Sequence, residues 1–239
     1  MRHFKFNTTL LSYFDGFWAL LFPNLCKKCS NQLLGMEEIL CRKCISNLPR
    51  TSFEKYKNNP LAQSFWGKIQ IVHAFSVFYF RKGEIIQKLI HQLKYKRNRK
   101  VGTFFGKISG NIIKEILSEL AIDYIVPVPL HPKRLKTRGY NQCELIAKGI
   151  SETTGVPVKS NILIRNIYNI SQTKKTRFER WENVKGIFTL TKPELFENKH
   201  ILLVDDIITS GSTIEACCIS LAEAKNIKIS VMSIGYTNF

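Results

Sequence analysis

Negative charge is scarce in this sequence: 18 Asp and Glu stand against 36 Lys and Arg, a formal net charge of +18. Such a chain is suited to polyanions, whether nucleic acid, phosphates or an acidic membrane surface. Long apolar runs are also missing. No stretch stays apolar for the roughly 18 residues that a membrane-spanning helix needs. The nearest, Leu10 to Leu25, is broken by Asp15 and Gly16 and lacks a small-residue cleavage site. Neither a transmembrane segment nor a signal peptide is expected there, and the expected location is cytoplasmic. There is no G-x-x-x-x-G-K-S/T string, which excludes P-loop ATP hydrolysis. Internal repeats, low-complexity tracts and a helix-turn-helix pattern are absent as well. Apolar residues make up 44% of 239 residues, enough for a real core and too many for wholesale disorder.

Four of the seven cysteines are patterned: Cys26, Cys29, Cys41 and Cys44 form two CxxC pairs separated by residues 30–40. Each pair can place two thiolates on one tight turn, and two such turns complete the tetrahedral Cys₄ set that Zn²⁺ accepts. Four protein ligands leave no open position, so this zinc would be structural. Two disulfides are the alternative, disfavoured in a reducing cytosol. Cys143, Cys217 and Cys218 lie in helix-like stretches and read as small buried residues.

Leu10 to Leu21 has helical apolar spacing, and Pro49 to Gln63 has a loop-like composition that reads as a linker. The expected division is 1–68 for the N-terminal helix, the Cys₄ ribbon and its linker, and 69–239 for a second domain. In that domain β-branched and aromatic stretches alternate with helical ones. Strands are expected at Ile71 to Phe80, Asp123 to Val128, Val156 to Val158, Ile187 to Leu190, Ile201 to Val204 and Ile229 to Ile234. Helices are expected at Glu84 to Tyr95, Val101 to Leu120, Asn141 to Thr153 and Ser212 to Ala224. Ile201 to Val204 is apolar without alternation, as in a strand covered on both faces. The fold class is therefore α/β with a mostly parallel sheet.

Chemistry concentrates in residues 201–213. A buried strand runs into Asp205 and Asp206, then into Thr209, Ser210, Gly211, Ser212 and Thr213 at a helix start. Free N–H groups and the positive end of the helix dipole suit a phosphate, and the hydroxyls add donors. Two carboxylates beside a phosphate need another task, such as accepting hydrogen bonds from sugar hydroxyls. The implied ligand is a ribose carrying a 5′-phosphate.

These residues fit the phosphoribosyl pyrophosphate (PRPP) signature of type I phosphoribosyltransferases. The run Val126-Pro-Val-Pro-Leu-His-Pro-Lys-Arg-Leu-Lys-Thr-Arg-Gly-Tyr-Asn-Gln142 resembles the ComF family, whose members join a zinc ribbon to a phosphoribosyltransferase-like domain and are linked to natural competence. So do Ser171-Gln172 through Arg180, Glu182-Asn183, Gly186-Ile187-Phe188 and Leu93-Lys94-Tyr95. The resemblance implies that Asp205 and Asp206 hold the ribose hydroxyls, usually with Mg²⁺ nearby, and that Thr209 to Thr213 hold the 5′-phosphate. It places a pyrophosphate loop at Leu130 to Arg134, with His131, Lys133 and Arg134 as candidates. It also implies a hood over PRPP at Gln172 to Arg180, with Lys174, Lys175 and Arg177. The reaction implied is displacement of pyrophosphate from ribose C1 through an oxocarbenium-like state. No acceptor-recognition element is legible.

A second function is compatible with the same residues: a non-catalytic module that binds single-stranded DNA or senses PRPP during DNA uptake, with a competence helicase as partner. Lys94, Lys96, Arg97, Arg99 and Lys100 surround Tyr95 without an acid, and Lys133, Arg134, Lys136 and Arg138 precede Tyr140. Cations interleaved with aromatics suit single strands, where phosphates and stacked bases are met together. His73, His91 and His200 read as packing residues.

Overall fold

The apolar run 201–204 forms the first half of a strand buried on both faces. A computed structural model describes residues 23–167 and 186–237 of the chain. The helix expected at Leu10 to Leu21 and the hood at Gln172 to Arg180 lie outside them. The chain divides into two compact units, Met1–Leu48 and Pro49–Phe239.

In the first unit, Cys26 and Cys29 lie on one turn. It is closed by the Ser30 amide on the Cys26 carbonyl (2.9 Å) and the Cys26 amide on the Asn31 carbonyl (2.8 Å). Cys41 caps helix α1 (Arg42–Ser46), which carries Cys44. The Glu37 carboxylate accepts the amides of Leu34 and Arg42, both at 2.8 Å, and so spans the stretch between the two cysteine pairs. Those amides hold its carboxyl below the usual range.

The second unit is built on a four-stranded parallel sheet in the order β1-β6-β5-β2. The strands are β1 (His73–Tyr79), β2 (Tyr124–Pro127), β5 (His200–Ile208) and β6 (Lys228–Tyr236). The expected α/β class with a parallel sheet is what the structure shows. Val158 pairs with Ile125 as a single parallel bridge, so the short strand expected there is reduced to an edge contact. Helices α3 (Ile85–Tyr95) and α4 (Lys100–Glu119) connect β1 to β2, while α5 (Pro132–Arg138) and α6 (Gln142–Thr154) follow β2. Helix α7 (Ser212–Leu221) joins β5 to β6. Helices α4 and α6 cross at backbone contact: a Cβ on Gly106 would stand 2.2 Å from the Ile146 carbonyl oxygen. Any side chain there would push the helices apart.

Two differences from the sequence reading have clear causes. The stretch 49–63, read as a linker, is built into the second unit. Arg50 bridges to Phe78, the Thr51 amide reaches the Val77 carbonyl at 3.1 Å, and Pro60–Gln63 forms helix α2, capped by the Asn59 side chain. Its polar composition reflects hydrogen-bonding work: Asn59, 2% exposed, donates to the carbonyls of Phe53, Tyr56 and Ala74. Second, β4 (Phe188–Leu190) pairs antiparallel with β3 (Leu163–Arg165) in a separate two-stranded sheet. The chain between these strands carries the hood residues.

Candidate functional site

In a parallel sheet every strand ends on the same edge, and ligands meet the loops at the carboxyl ends. Strand β5 is central, paired with β2 on one side and β6 on the other. Asp205 and Asp206 lie within β5 and are 8% and 3% exposed. Consecutive strand residues point to opposite faces as a rule. Here the carboxylate oxygens of both, with the Cys143 sulfur from α6, gather within 4.8 Å of one another. Asp205 Oδ1 accepts the Asp206 amide at 2.8 Å and the Cys143 thiol at 3.3 Å. Burial, reinforced by the Asp206 carboxylate, raises Asp205 to about 7. Burial likewise lifts the Cys143 thiol well above its ordinary range, with the two carboxylates adding to it.

Lys94 comes to this cluster rather than to the surface. Its Nζ lies 2.9 Å from Asp206 Oδ1, and its side chain is 23% exposed. Burial works against the ammonium, but the carboxylates of Asp206 and Asp205 outweigh it and hold Lys94 above its usual range. This corrects its placement in the nucleic-acid cluster: four residues past the buried Ile90, Lys94 lies on the inward face of α3. Lys96, Arg97, Arg99 and Lys100 are exposed, as expected of a surface cluster.

Residues 209–211 follow β5 and lead into α7. Gly211 is the N-cap, at φ +79°. Ser210 and Ser212 hydroxyls are 3.0 Å apart, and Asp205 with residues 207–214 lines a concavity at this helix start. Lys68 pairs with Glu215 in the first turn of α7 at 3.1 Å and offsets a carboxylate that would repel an anion. Phe65 packs beneath the loop, so a Cβ on Gly211 would stand 2.7 Å from Phe65 Cε1. Gly211→Ala is expected to lower the melting temperature, since the left-handed backbone alone costs a non-glycine residue about 1–2 kcal/mol. Titration with inorganic phosphate should show weaker binding. An unchanged melting temperature and phosphate affinity would contradict this account of the turn.

The pyrophosphate loop expected at Leu130 to Arg134 is in part a helix. His131, 9% exposed, is the N-cap of α5, and its Nδ1 accepts the Lys133 amide at 3.1 Å. Lys133 and Arg134 are exposed on that helix. Pro132 at its first position favours a helix start, a signal present in the sequence. Lys174, Lys175 and Arg177 lie outside the described residues. Sequence reasoning missed Arg165 on β3, half-buried and near enough to Asp205 to feel its charge; burial and then Arg134 lower its basicity. Nothing in a lone arginine distinguished it.

The histidines divide. His73 and His200 are buried and hydrogen-bonded, whereas His91 is exposed and lies tilted against Tyr95, with ring centroids 4.8 Å apart and planes at 44°.

The four ribbon cysteines place their sulfurs within 4.8 Å of one another, with Cys29 and Cys41 Sγ 3.7 Å apart. Zn–S bonds of about 2.3 Å imply tetrahedral edges near 3.8 Å, which fits. Burial opposes a Cys26 thiolate, yet the amides of Cys29, Cys41 and Lys28 bring it down to about 6. Burial, then the neighbouring thiols, push Cys44 up to about 12. Without a cation the cluster resists further ionisation, so the donor set fits a metal ion. All seven cysteines are free of disulfides.

Solved structures similar to the chain include two named as phosphoribosyl enzymes. One is a B. subtilis glutamine PRPP amidotransferase, with TM-score 0.36 and 23% identity, covering 54% of this chain and 26% of that one. Another is adenine phosphoribosyltransferase from Saccharomyces cerevisiae, with TM-score 0.32 and 20% identity, covering 64% and 71%. No family model matches the chain. Its named relatives are more particular. The chain is 28% identical over 196 residues to Competence protein F of Haemophilus influenzae, covering 80% of each. It is 28% identical over 213 residues to Competence protein ComFC of Bacillus subtilis, covering 80% of this chain and 81% of the relative. It is 29% identical over 135 residues to DNA utilization protein YhgH of Escherichia coli K12, a match spanning just over half of that relative, 57%. The resemblance to the ComF family thus extends over 80% of the chain. Among the described residues no helix is long and apolar enough to cross a membrane.

Proposed function

We propose that the second unit is a PRPP-binding, phosphoribosyltransferase-like domain acting in DNA uptake in the cytoplasm; relatives named for competence and for DNA utilization support this reading. The observation that carries this reading is the strand–turn–helix at the end of β5, where two buried carboxylates precede a hydroxyl-rich helix start. Asp205 and Asp206 accept the ribose hydroxyls, and residues 209–213 bind the 5′-phosphate through amides and hydroxyls. Asp206 Oδ2 is buried without a hydrogen-bond partner among the described residues, so the pair fits a cation. Mg²⁺, when bound with PRPP, would neutralise the leaving pyrophosphate. The protein's own contribution is electrostatic: the carboxylates face the cation that develops at C1, and Lys133, Arg134, Lys174, Lys175 and Arg177 serve the pyrophosphate. Leu130 and His131 set the start of α5. The hood's part rests on the resemblance alone. Calorimetric titration with PRPP and Mg²⁺, followed by assay of pyrophosphate release with candidate acceptors, tests the reading. Absence of saturable PRPP binding would end it.

Zn²⁺ is the metal proposed for the ribbon, with a structural role. A second surface favours single-stranded DNA. Arg138 from α5 stacks over Tyr95 at 5.8 Å and Arg99 over Tyr140 at 5.3 Å, which unites two basic stretches separated in sequence. Tyr95 is 68% exposed, so the ring and its cations face solvent together. Binding should be strongly salt-dependent, with the logarithm of affinity falling by about 0.7 per neutralised phosphate for each decade of salt. Reversing Lys96, Arg97, Arg99 and Lys100 to Glu should remove most of it and spare PRPP binding. Fluorescence anisotropy with a labelled oligonucleotide measures both; binding indifferent to salt would exclude this surface. A DNA-uptake helicase is the protein partner this role would require.

A further inference from the structure

Lys94 bears on the ligand-free state of the site. The last turn of α3 is pinned from outside: the Tyr140 hydroxyl donates to the Leu93 carbonyl. Leu93 is fully buried, and the next side chain reaches Asp206 Oδ1 at 2.9 Å. Asp205 Oδ1 is already engaged by the Asp206 amide and the Cys143 thiol. Asp206 has one oxygen on the ammonium and the other buried with no hydrogen-bond partner among the described residues. Two adjacent buried carboxylates are thus served by one cation, at the spot where a divalent ion would neutralise both.

We propose that Lys94 is the resident counter-cation of the acidic pair: its ammonium holds the place of a divalent cation at Asp206. The ligand-free protein then excludes free divalent ions, and an ion enters only with a polyphosphate that draws the ammonium away. An ammonium and a divalent ion a few ångströms apart repel strongly in a buried setting. Phosphate oxygens give the displaced ammonium a new partner. The exclusion stands on the geometry; the displacement by PRPP rests on the function proposed above.

Mn²⁺ is the probe, since it prefers carboxylates to the thiolates of the ribbon. Electron paramagnetic resonance counts free Mn²⁺ against the full chain with its ribbon metal in place. Lys94→Met should bind one Mn²⁺ at least about tenfold more tightly than the parent. Lys94→Arg, which keeps the charge, should behave as the parent, and Lys94→Met with Asp206→Asn should lose the gain. If Lys94→Met does not melt cooperatively, Lys94→Gln replaces it in the same comparison. Equal affinity in parent and uncharged variant, or a gain that survives Asp206→Asn, overturns the proposal. With saturating PRPP the difference between parent and variant should vanish; a persisting difference overturns the displacement step. If the parent binds no PRPP, the phosphoribosyl reading and the displacement step fail, while the Mn²⁺ comparison still judges the exclusion.

Discussion

The double exchange Asp205→Asn/Asp206→Asn is expected to abolish measurable PRPP binding while the protein remains folded. In the proposed complex each carboxylate would make charged hydrogen bonds to the ribose, worth on the order of 1.5–3 kcal/mol apiece. Together they amount to a loss of roughly 10²- to 10⁴-fold in affinity. Asparagine is preferred to alanine because both side chains are buried in β5 and Asp206 faces the Lys94 ammonium. Alanine would leave that ammonium without an acceptor and open space in the sheet, so loss of binding would be confounded with loss of fold. The amide keeps an oxygen for Lys94 and removes the charge. Calorimetry with PRPP and Mg²⁺, beside a thermal melt, separates the outcomes. Undiminished affinity in a folded double variant would remove the ribose from these residues. Inorganic phosphate should still bind at residues 209–213, because that loop keeps its amides and hydroxyls.

Removal of the ribbon metal is the second large effect. Among the described residues of the first unit, 23–48, the buried apolar ones are Cys26, Ile39, Leu40, Cys44 and Leu48. Two of these five are proposed ligands, so residues 23–48 carry little apolar core of their own. Structural zinc in small domains contributes an apparent 10–16 kcal/mol, about the scale needed. Chelation should therefore unfold residues 23–48, made visible as rapid proteolysis there, while the melting transition of residues 49–237 stays in place. Cys41→Ser should do the same at lower chelator concentration. Metal analysis of protein purified without added zinc should find one ion per chain. No stoichiometric metal, or disulfides among Cys26, Cys29, Cys41 and Cys44 in reduced protein, would refute the site.

Much of what depends on near neighbours in the chain was legible beforehand, though the helix starts at Pro60 and Pro132 were read as linker and loop. Paired CxxC spacing is a turn-level feature, and the four sulfurs do converge. The strand–acid–hydroxyl–glycine order of 201–213 is local too, and the order of β1, α3, α4, β2, α6, β5, α7 and β6 needed only periodicity and helix-stop signals. Tertiary structure decided what local order cannot carry. Lys94 lies in the same basic stretch as Lys96 and Arg97, and only the packing of α3, with the face of Ile90 turned inward, separates an ion-pair partner of Asp206 from surface charges. Composition labelled 49–63 a linker because polar side chains look alike whether they meet water or, as Asn59 does, buried carbonyls. Arg138 and Tyr95 lie on different helices and become neighbours only because α3 and α5 come together through Tyr140. A side chain's type and its near neighbours follow from the sequence alone; its partner across the fold follows from how the helices pack on the sheet, which is summed over the whole chain.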